Sequence, residues 1–365
     1  MILILNCGSQ SIKWKIFSAK GGPASGGNLK LVNQGKRDVF ISAEFENVLT
    51  EELNKITEEI TIVGHRVVHG GGIFTKPLEI TTENLQELEK INHLAPLHNP
   101  YNLLGIKVCQ KIFQNTPQIA VFDTEFFSNL PEKAYTYALP ENIAKELGFR
   151  RYGFQGTSHE YVARKASEVV KKPFNKLKII TCHLGGGASV SAIKNGKAID
   201  TSMGFTPVEG LVMMTRSGNI DAGIVLELVK QFGIEGTDKI LNKESGIKGI
   251  CGEGDMLKVF EKIKQGDQNA KLAFDVFVYS VQKQIGAYFA ILDGCDVLVF
   301  TGSIGSGNPK TRTAICKGLS ILKIPTAKPS RILDGKAIGT KVLAIETDEE
   351  LIIMEKICKT KKALQ

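Results

Sequence analysis

The chain has 365 residues, 42% hydrophobic and 23% charged, with a formal net charge of +8. This allows two cores at roughly 150 residues each and excludes a disordered or fibrous protein. Seven scattered cysteines without a C-x-x-C pair argue against a disulfide framework or zinc site and for a reducing compartment.

In chain order, ILIL (2–5) reads as a buried strand, followed by the small turn Asn6-Cys7-Gly8-Ser9 and a second strand reaching Phe17. This opening has no basic leader segment, and no run in the chain approaches the ~18 apolar residues of a membrane span. A cytoplasmic protein without membrane contact is therefore expected. Its positive charge is spread out, tightest at Lys356, Lys359, Lys361 and Lys362. That favours anionic partners, but the usual nucleic-acid signatures are missing and nucleic acid is not expected.

TIVG (61–64) is the next strand and runs into GHRVVHGGG. An arginine among Val and Gly, Arg66, needs an anion: a carboxylate or phosphate ligand, or an internal Asp or Glu. His65 and His69 are four apart, but no H-E-x-x-H pattern forms around them, so they read as structural. Helical spacing covers 83–92 and 100–114, and LAPLHNP between them holds His98 in a rigid loop between prolines. IAVF (119–122) is a strand with Asp123 directly after it, the usual place for a functional carboxylate in α/β proteins. A helix N-cap is the alternative reading of Asp123.

RRYGFQGTSHEY (150–161) concentrates hydrogen-bonding groups, Gln155 among them, ahead of a helix near 158–172. KIITC (178–182) and VLVF (297–300) are strands that lead into His183 and the glycine loops Gly185-Gly186-Gly187 and Gly302-Ser303-Ile304-Gly305. Together with the first turn, these small loops at strand ends point to bound phosphate, hence a nucleotide. Neither a P-loop nor a G-x-G-x-x-G fingerprint is present. Arg216, in TRSGNID before a helix near 219–231, is a second arginine in a glycine-rich setting. Helices near 267–291 and 349–360 flank a last strand, KVLAI (341–345). The class is α/β with mixed sheets. Residues 2–17 and 179–196 share a strand–small turn–strand plan, as a duplication would produce; similar hydrophobic hairpins are the bland alternative.

These motifs resemble the acetate kinase and propionate kinase family, within the actin, Hsp70 and sugar-kinase fold group. The similarity runs through NCGSQSIK, GHRVVHGG, LAPLHNP, VFDTEFF, RRYGFQGTSH, HLGGGAS, DTSMGFTPVEGLVMMTRSGNID, FTGSIG and TDEEL. It implies two ribonuclease-H-like domains with mixed sheets around an interdomain cleft. These would be an N-terminal domain at 1–150, joined by a returning helix near 349–365, and a nucleotide-binding domain at 151–348. The implied reaction is reversible transfer of the ATP γ-phosphoryl to a short-chain carboxylate, giving acyl phosphate and ADP, in a homodimer.

By resemblance, Arg66 and Arg216 flank the carboxylate and the moving phosphoryl, and Asp123 is the essential aspartate, expected to orient Arg216 or metal-bound water. Asn6 and Glu349 attend Mg²⁺. His98 and His183 contact phosphate, His183 beside the nucleotide loops. Val68, Leu97, Phe154 and Pro207 line the acyl pocket. This chain also departs from the family pattern. Gln155 replaces a histidine, Gly186 an asparagine and Gln10 a serine, while the loop Gly302, Ser303, Gly305 has lost its Glu-Asn. Asp255-Met256-Leu257 stands for the family's Asp-Phe-Arg near adenosine, and Phe127 replaces a histidine. Two other readings fit such departures: a binder of nucleotide or acyl phosphate with little turnover, or a kinase for another small acid such as butyrate.

Overall fold

The structure is a computed structural model that describes residues 1–8, 11–19, 29–39, 42–319 and 342–364. Ser9 and Gln10 of the first turn, and Lys341 of the last predicted strand, lie outside the described residues. Eleven strands among those described form two sheets. The first contains β1 (Ile2–Gly8), β2 (Ser11–Ala19), β3 (Leu29–Asp38), β4 (Ile62–Val67), β5 (Leu78–Glu79) and β6 (Gln118–Phe122), in the order β3-β2-β1-β4-β6-β5. The second contains β7 (Lys178–Leu184), β8 (Ala188–Lys194), β9 (Lys197–Thr201), β10 (Val297–Thr301) and β11 (Val342–Ala344), in the order β11-β10-β7-β8-β9.

Both sheets follow one plan. An antiparallel meander (β1-β2-β3, β7-β8-β9) carries two parallel strands on the free side of its first strand (β4 and β6, β10 and β11). This is the ribonuclease-H-like arrangement, present twice, and the strand–turn–strand echo in the sequence corresponds to equivalent hairpins. The chain divides into two compact units. One comprises Met1–Ser128, Phe154–Thr157 and Asp348–Gln365; the other comprises Asn129–Gly153 and Ser158–Thr347.

Within the first unit, side-chain alternation along β1 determines what can meet what. Leu3, Leu5 and Cys7 enter one core with Phe45, Leu49 and Leu53 of helix Phe45–Leu53 and with Val108 and Cys109 of helix Asn99–Ile112. Ile2 and Ile4 enter the opposite core with Ile353, Met354 and Ile357 of helix Glu349–Leu364. A strand covered on both faces has to be apolar at every position, as ILIL is. Gly64 of β4 is required on the second face, because a Cβ there would run into Ile357 and Ile4.

In the second unit, helix Gln268–Leu292 buries Ala273, Phe277, Val281, Ile285 and Tyr288 along one stripe. The predicted strands and helices are present, most with ends shifted by a few residues; the helix expected near 219–231 runs Ala222–Lys239 with a kink at Gly233. Helices Gly246–Cys251, Met256–Lys264 and Pro309–Lys317 were not anticipated, being short and set in or beside glycine- and proline-containing segments.

Truncating Ile357, fully buried between the helix and the sheet, removes packing from the face that carries Asn6 and Arg66. Ile357→Ala is expected to cost about 2–5 kcal/mol, read as a lower urea midpoint at unchanged slope.

Candidate active site

The parity that sends Ile2 and Ile4 toward helix Glu349–Leu364 continues to Asn6, and on β4 it runs from Ile62 and Gly64 to Arg66. On β6, Ile119 and Val121 share that face, and the next residue in step is Asp123, just past the strand. Three chain-distant polar residues are thereby gathered at adjacent strand ends, where the helix presents Glu349 and Glu350 in its first turn.

Asp123 is 1% exposed and takes Arg66 as a fork: Nε donates to both carboxylate oxygens at 3.1 Å and Nη2 donates to Oδ2 at 2.5 Å. Arg66 Nη1 donates to Asn6 Oδ1 at 3.1 Å, and Glu349 lies 3.5 Å from Nε. Asn6 Nδ2 in turn donates to Glu350 Oε1 at 3.3 Å, and Lys15 bridges Glu350 at 3.3 Å and Asp348 at 2.7 Å. Asp123 therefore orients Arg66. Of the two partners left open for Arg66, the internal carboxylate is the one observed.

The segment after Phe154 supports this pair. Gly156 N donates to Asp123 O at 3.0 Å, and Thr157 Oγ1 donates to Asp123 Oδ1 at 2.8 Å. Gln155 sits just ahead with φ of +60°, a left-handed conformation that costs a non-glycine residue about 1–2 kcal/mol. Its half-buried side chain is thus aimed by a strained turn rather than by a helix.

Val68 and Phe154 are buried, Leu97 is half-buried, and the His69 ring meets Phe154 edge-on at 5.3 Å. The loop holding Val68 is stapled to helix Asn99–Ile112. Asn102 Oδ1 accepts from Val68 N at 2.9 Å, and Asn99 Oδ1 accepts from His69 N at 3.0 Å. His98 occupies the N-cap position of that helix, with a proline in its first turn. His65 and His69 are structural, as expected. Burial pushes their pKa values down to about 4 and about 3, so both are neutral at pH 7, and His65 Nε2 meets Gln118 Oε1 at 2.6 Å.

In the second unit, His183 is next to last in β7, and its Nδ1 lies 2.7 Å from Ser158 Oγ. The Gly185–Gly187 turn follows, closed by Gly185 N donating to Gly187 O at 3.0 Å, with Met214 N donating to Gly186 O at 3.3 Å. Gly302 opens the other loop at φ +81°, where a Cβ would strike the Leu184 backbone, so only glycine fits. Beneath that loop the buried Arg312 donates from Nη1 to Gly305 O and Ser306 O, both at 2.7 Å. Asp255 is exposed and caps helix Met256–Lys264, accepting from Leu257 N at 2.7 Å. Pro207 is half-buried in a turn whose end, Glu209, binds Arg151 at 2.5 Å and Tyr137.

Arg216 differs from Arg66. Among the described residues no carboxylate pairs with it; its Nη1 has only Met213 Sδ at 4.0 Å, and burial lowers its pKa. Its loop is held by Met213 N to Arg216 O at 3.1 Å and Ser245 N to Thr215 O at 3.1 Å. A half-buried guanidinium without a counter-charge is arranged for an anion.

The charge balance around Arg66 has the opposite sign. Among the described residues, Asp123, Asp348, Glu349 and Glu350 form ion pairs with Arg66 and Lys15, and Lys13 also acts on Glu349 from farther off. Burial, and then Asp123 and Glu350, push the Glu349 pKa up against the pull of Arg66. For Arg66, burial works downward, but Asp123 and Glu349 hold the pKa above its ordinary value. Among the described residues no three His, Cys, Asp or Glu side chains group to hold a metal. Hard oxygens from Asn6 and Glu349, in a carboxylate-rich patch, do fit a divalent cation bound mostly through water and phosphate, as Mg²⁺ prefers.

The Asn6–Glu350–Lys15 chain, Thr157 and Ser158 were not singled out from sequence. The Thr-Ser pair at the helix start and the second glutamate of TDEEL were the available signals.

Each unit has the ribonuclease-H-like fold of the actin-like group, a class that includes phosphotransferases; the first carries a forked Arg–Asp pair and the second small-residue turns at its strand ends. More narrowly, the chain belongs to the acetokinase family, whose sequence profile matches residues 24–355. It is similar to an acetate kinase of Carboxydothermus hydrogenoformans, 45% identical over 96% of this chain and 97% of that protein. An acetate kinase of Helicobacter acinonychis is 44% identical over 100% and 99%. Among solved structures, a Porphyromonas gingivalis acetate kinase has a TM-score of 0.80 at 37% identity, covering 100% of this chain and 99% of that one. A Francisella tularensis propionate kinase has a TM-score of 0.83 at 35% identity, covering 97% and 98%.

Because the folded pKa of Glu349 lies above its ordinary 4.5, its contribution to stability is present below that pH and lost as pH rises through the raised value. Without metal, Glu349→Gln should therefore melt at or above wild type at neutral pH, the gap closing near pH 4.5. Added Mg²⁺ should raise the wild-type Tm more than that of the variant. Melting curves at the two pH values, with and without Mg²⁺, check both signs.

Proposed function

We propose that this chain is a short-chain carboxylate kinase, moving the γ-phosphoryl of ATP reversibly to acetate or propionate to give an acyl phosphate and ADP. The observation that carries this reading is the near-full-length relationship to acetate kinases; it is supported by the Arg66–Asp123 pair and by Arg216, which has no carboxylate partner among the described residues. A carboxylate nucleophile is already ionised at pH 7, so no strong base is needed. The barrier is the approach of two anions, which cationic groups and accurate positioning lower.

Arg66, fixed by Asp123, and Arg216 are the groups assigned to the carboxylate and the phosphoryl. Gln155 stands where the family has histidine and supplies a neutral donor. Val68, Leu97, Phe154 and Pro207 are assigned to the acyl tail, and His98 to phosphate. Each methylene added to a substrate is worth only about 1–3 kcal/mol of discrimination. The nucleotide is assigned to His183, Gly185, Gly186, Gly187, Asp255, Gly302, Ser303 and Gly305. Glu349 and Asn6 would hold Mg²⁺, which would screen the charge on the phosphates. A hydroxamate assay with ATP, Mg²⁺ and acetate or propionate tests the reading. Acyl phosphate is expected from wild type and is lost in Arg216→Leu; product at background with both acids would overturn the assignment.

The protein is further proposed to be a cytoplasmic homodimer acting on small molecules. All seven cysteines are unpaired thiols, and among the described residues no helix is long and apolar enough to cross a membrane. Support for self-association comes from Ile220, Ile224, Leu226, Phe232 and Ile234, which lie 39% to 78% exposed on and just before helix Ala222–Lys239. Such a concentration of exposed apolar side chains calls for a partner surface. Light scattering should give a dimer mass for wild type and a monomer mass for a Phe232→Glu, Ile234→Glu double variant; a monomeric wild type would refute the dimer.

A further inference from the structure

Ser158 stands in the first turns of helix Gly156–Val170, is 0% exposed, and approaches His183 Nδ1 to 2.7 Å through Oγ. That is its only side-chain hydrogen-bond partner among the described residues. The ring nitrogen could in principle donate or accept. If it donated, the serine proton would be buried with no acceptor, which native structures avoid. The hydroxyl must therefore donate, and Nδ1 must accept. A neutral imidazole that accepts at Nδ1 carries its proton on Nε2. This second nitrogen is directed at the glycine turn: a Cβ built on Gly185 would lie 3.7 Å from His183 Nε2 and 3.7 Å from Ser303 Oγ.

The neighbouring ring is locked in a similar way. His159 is fully buried, with Nδ1 2.7 Å from Thr181 Oγ1 and Nε2 2.7 Å from Ser189 Oγ, and its centroid is 6.4 Å from that of His183. Both rings thus meet hydroxyl oxygens on this face of the sheet.

We propose that Ser158 is a positioning residue that fixes His183 as the Nε2–H tautomer, so that an uncharged ring donates a hydrogen bond toward an anion at the Gly185–Gly187 turn. The anion rests on the kinase reading above; the tautomer does not. Fixing the tautomer beforehand means that no fraction of the protein presents a lone pair to phosphate oxygens.

The ring ¹⁵N chemical shifts of histidine-labelled protein test this directly, since the chain has six histidines and His183→Ala assigns one of them. Wild type should give the Nε2–H pattern at His183, and Ser158→Ala should shift it toward a mixture with Nδ1–H while the other rings stay put. Ser158→Thr, which keeps the hydroxyl, should restore it. In the hydroxamate assay Ser158→Ala should lower kcat about five- to tenfold, with the KM for the carboxylate little changed. An Nδ1–H or charged ring in wild type, an unmoved pattern in Ser158→Ala, or full turnover despite a moved pattern would each overturn the proposal. A wild type with the expected tautomer but no acyl phosphate would sink the kinase reading and leave the Ser158–His183 link standing.

Discussion

Arg66 and Asp123 form the interaction on which the first unit's site depends. Neither belongs in an apolar sheet alone: a buried carboxylate or guanidinium left unpaired is strongly destabilising, so the two must be placed together. The fork geometry then fixes the guanidinium plane, and the remaining Nη1 direction fixes Asn6. Thr157 and the Gly156 amide complete the hold on Asp123, so the turn that carries Gln155 is tied to the same pair. A change at any of these residues would be felt at the others.

The pair can form because the strands obey a two-residue period. Asn6, Arg66 and Asp123 share a face with the isoleucines that pack against helix Glu349–Leu364, and that helix brings the carboxylates of Glu349 and Glu350 to the strand ends. A helix N-terminus favours negative charge, which offsets part of the crowding. Hydrophobic packing and placement of the site are thus two consequences of one register. A one-residue slip in β4 would move Arg66 to the opposite face.

The two arginines of the resemblance have different physical states. Arg66 is paired with internal carboxylates, whereas Arg216 is drawn from water with no carboxylate partner among the described residues. An internally paired arginine is a rigid positioned dipole, and an unpaired one is a receptor for incoming charge. Charge is distributed in opposite senses around them: an excess of carboxylates around Arg66 suits a metal, and a lone cation at Arg216 suits an anion.

The sequence alone determined the α/β class, the buried strands, the long helices and the residues to watch, because apolar periodicity and glycine punctuation are local properties. The family resemblance then pointed to Arg66, Asp123, Arg216 and His183. Local pattern could not say which residue Asp123 would hold, since that depends on strand order across 57 residues of separation; the partner seen is Arg66. Nor could it find Ser158, Thr157, Lys15 or Glu350, whose roles exist only through hydrogen bonds to distant residues. Asp255 came only from the family resemblance, as a residue near adenosine; in the fold its carboxylate caps helix Met256–Lys264, which the sequence pattern had not shown. Tertiary structure decided these points because hydrogen bonds and ion pairs act over about 3 Å in space, a distance that chain position does not encode.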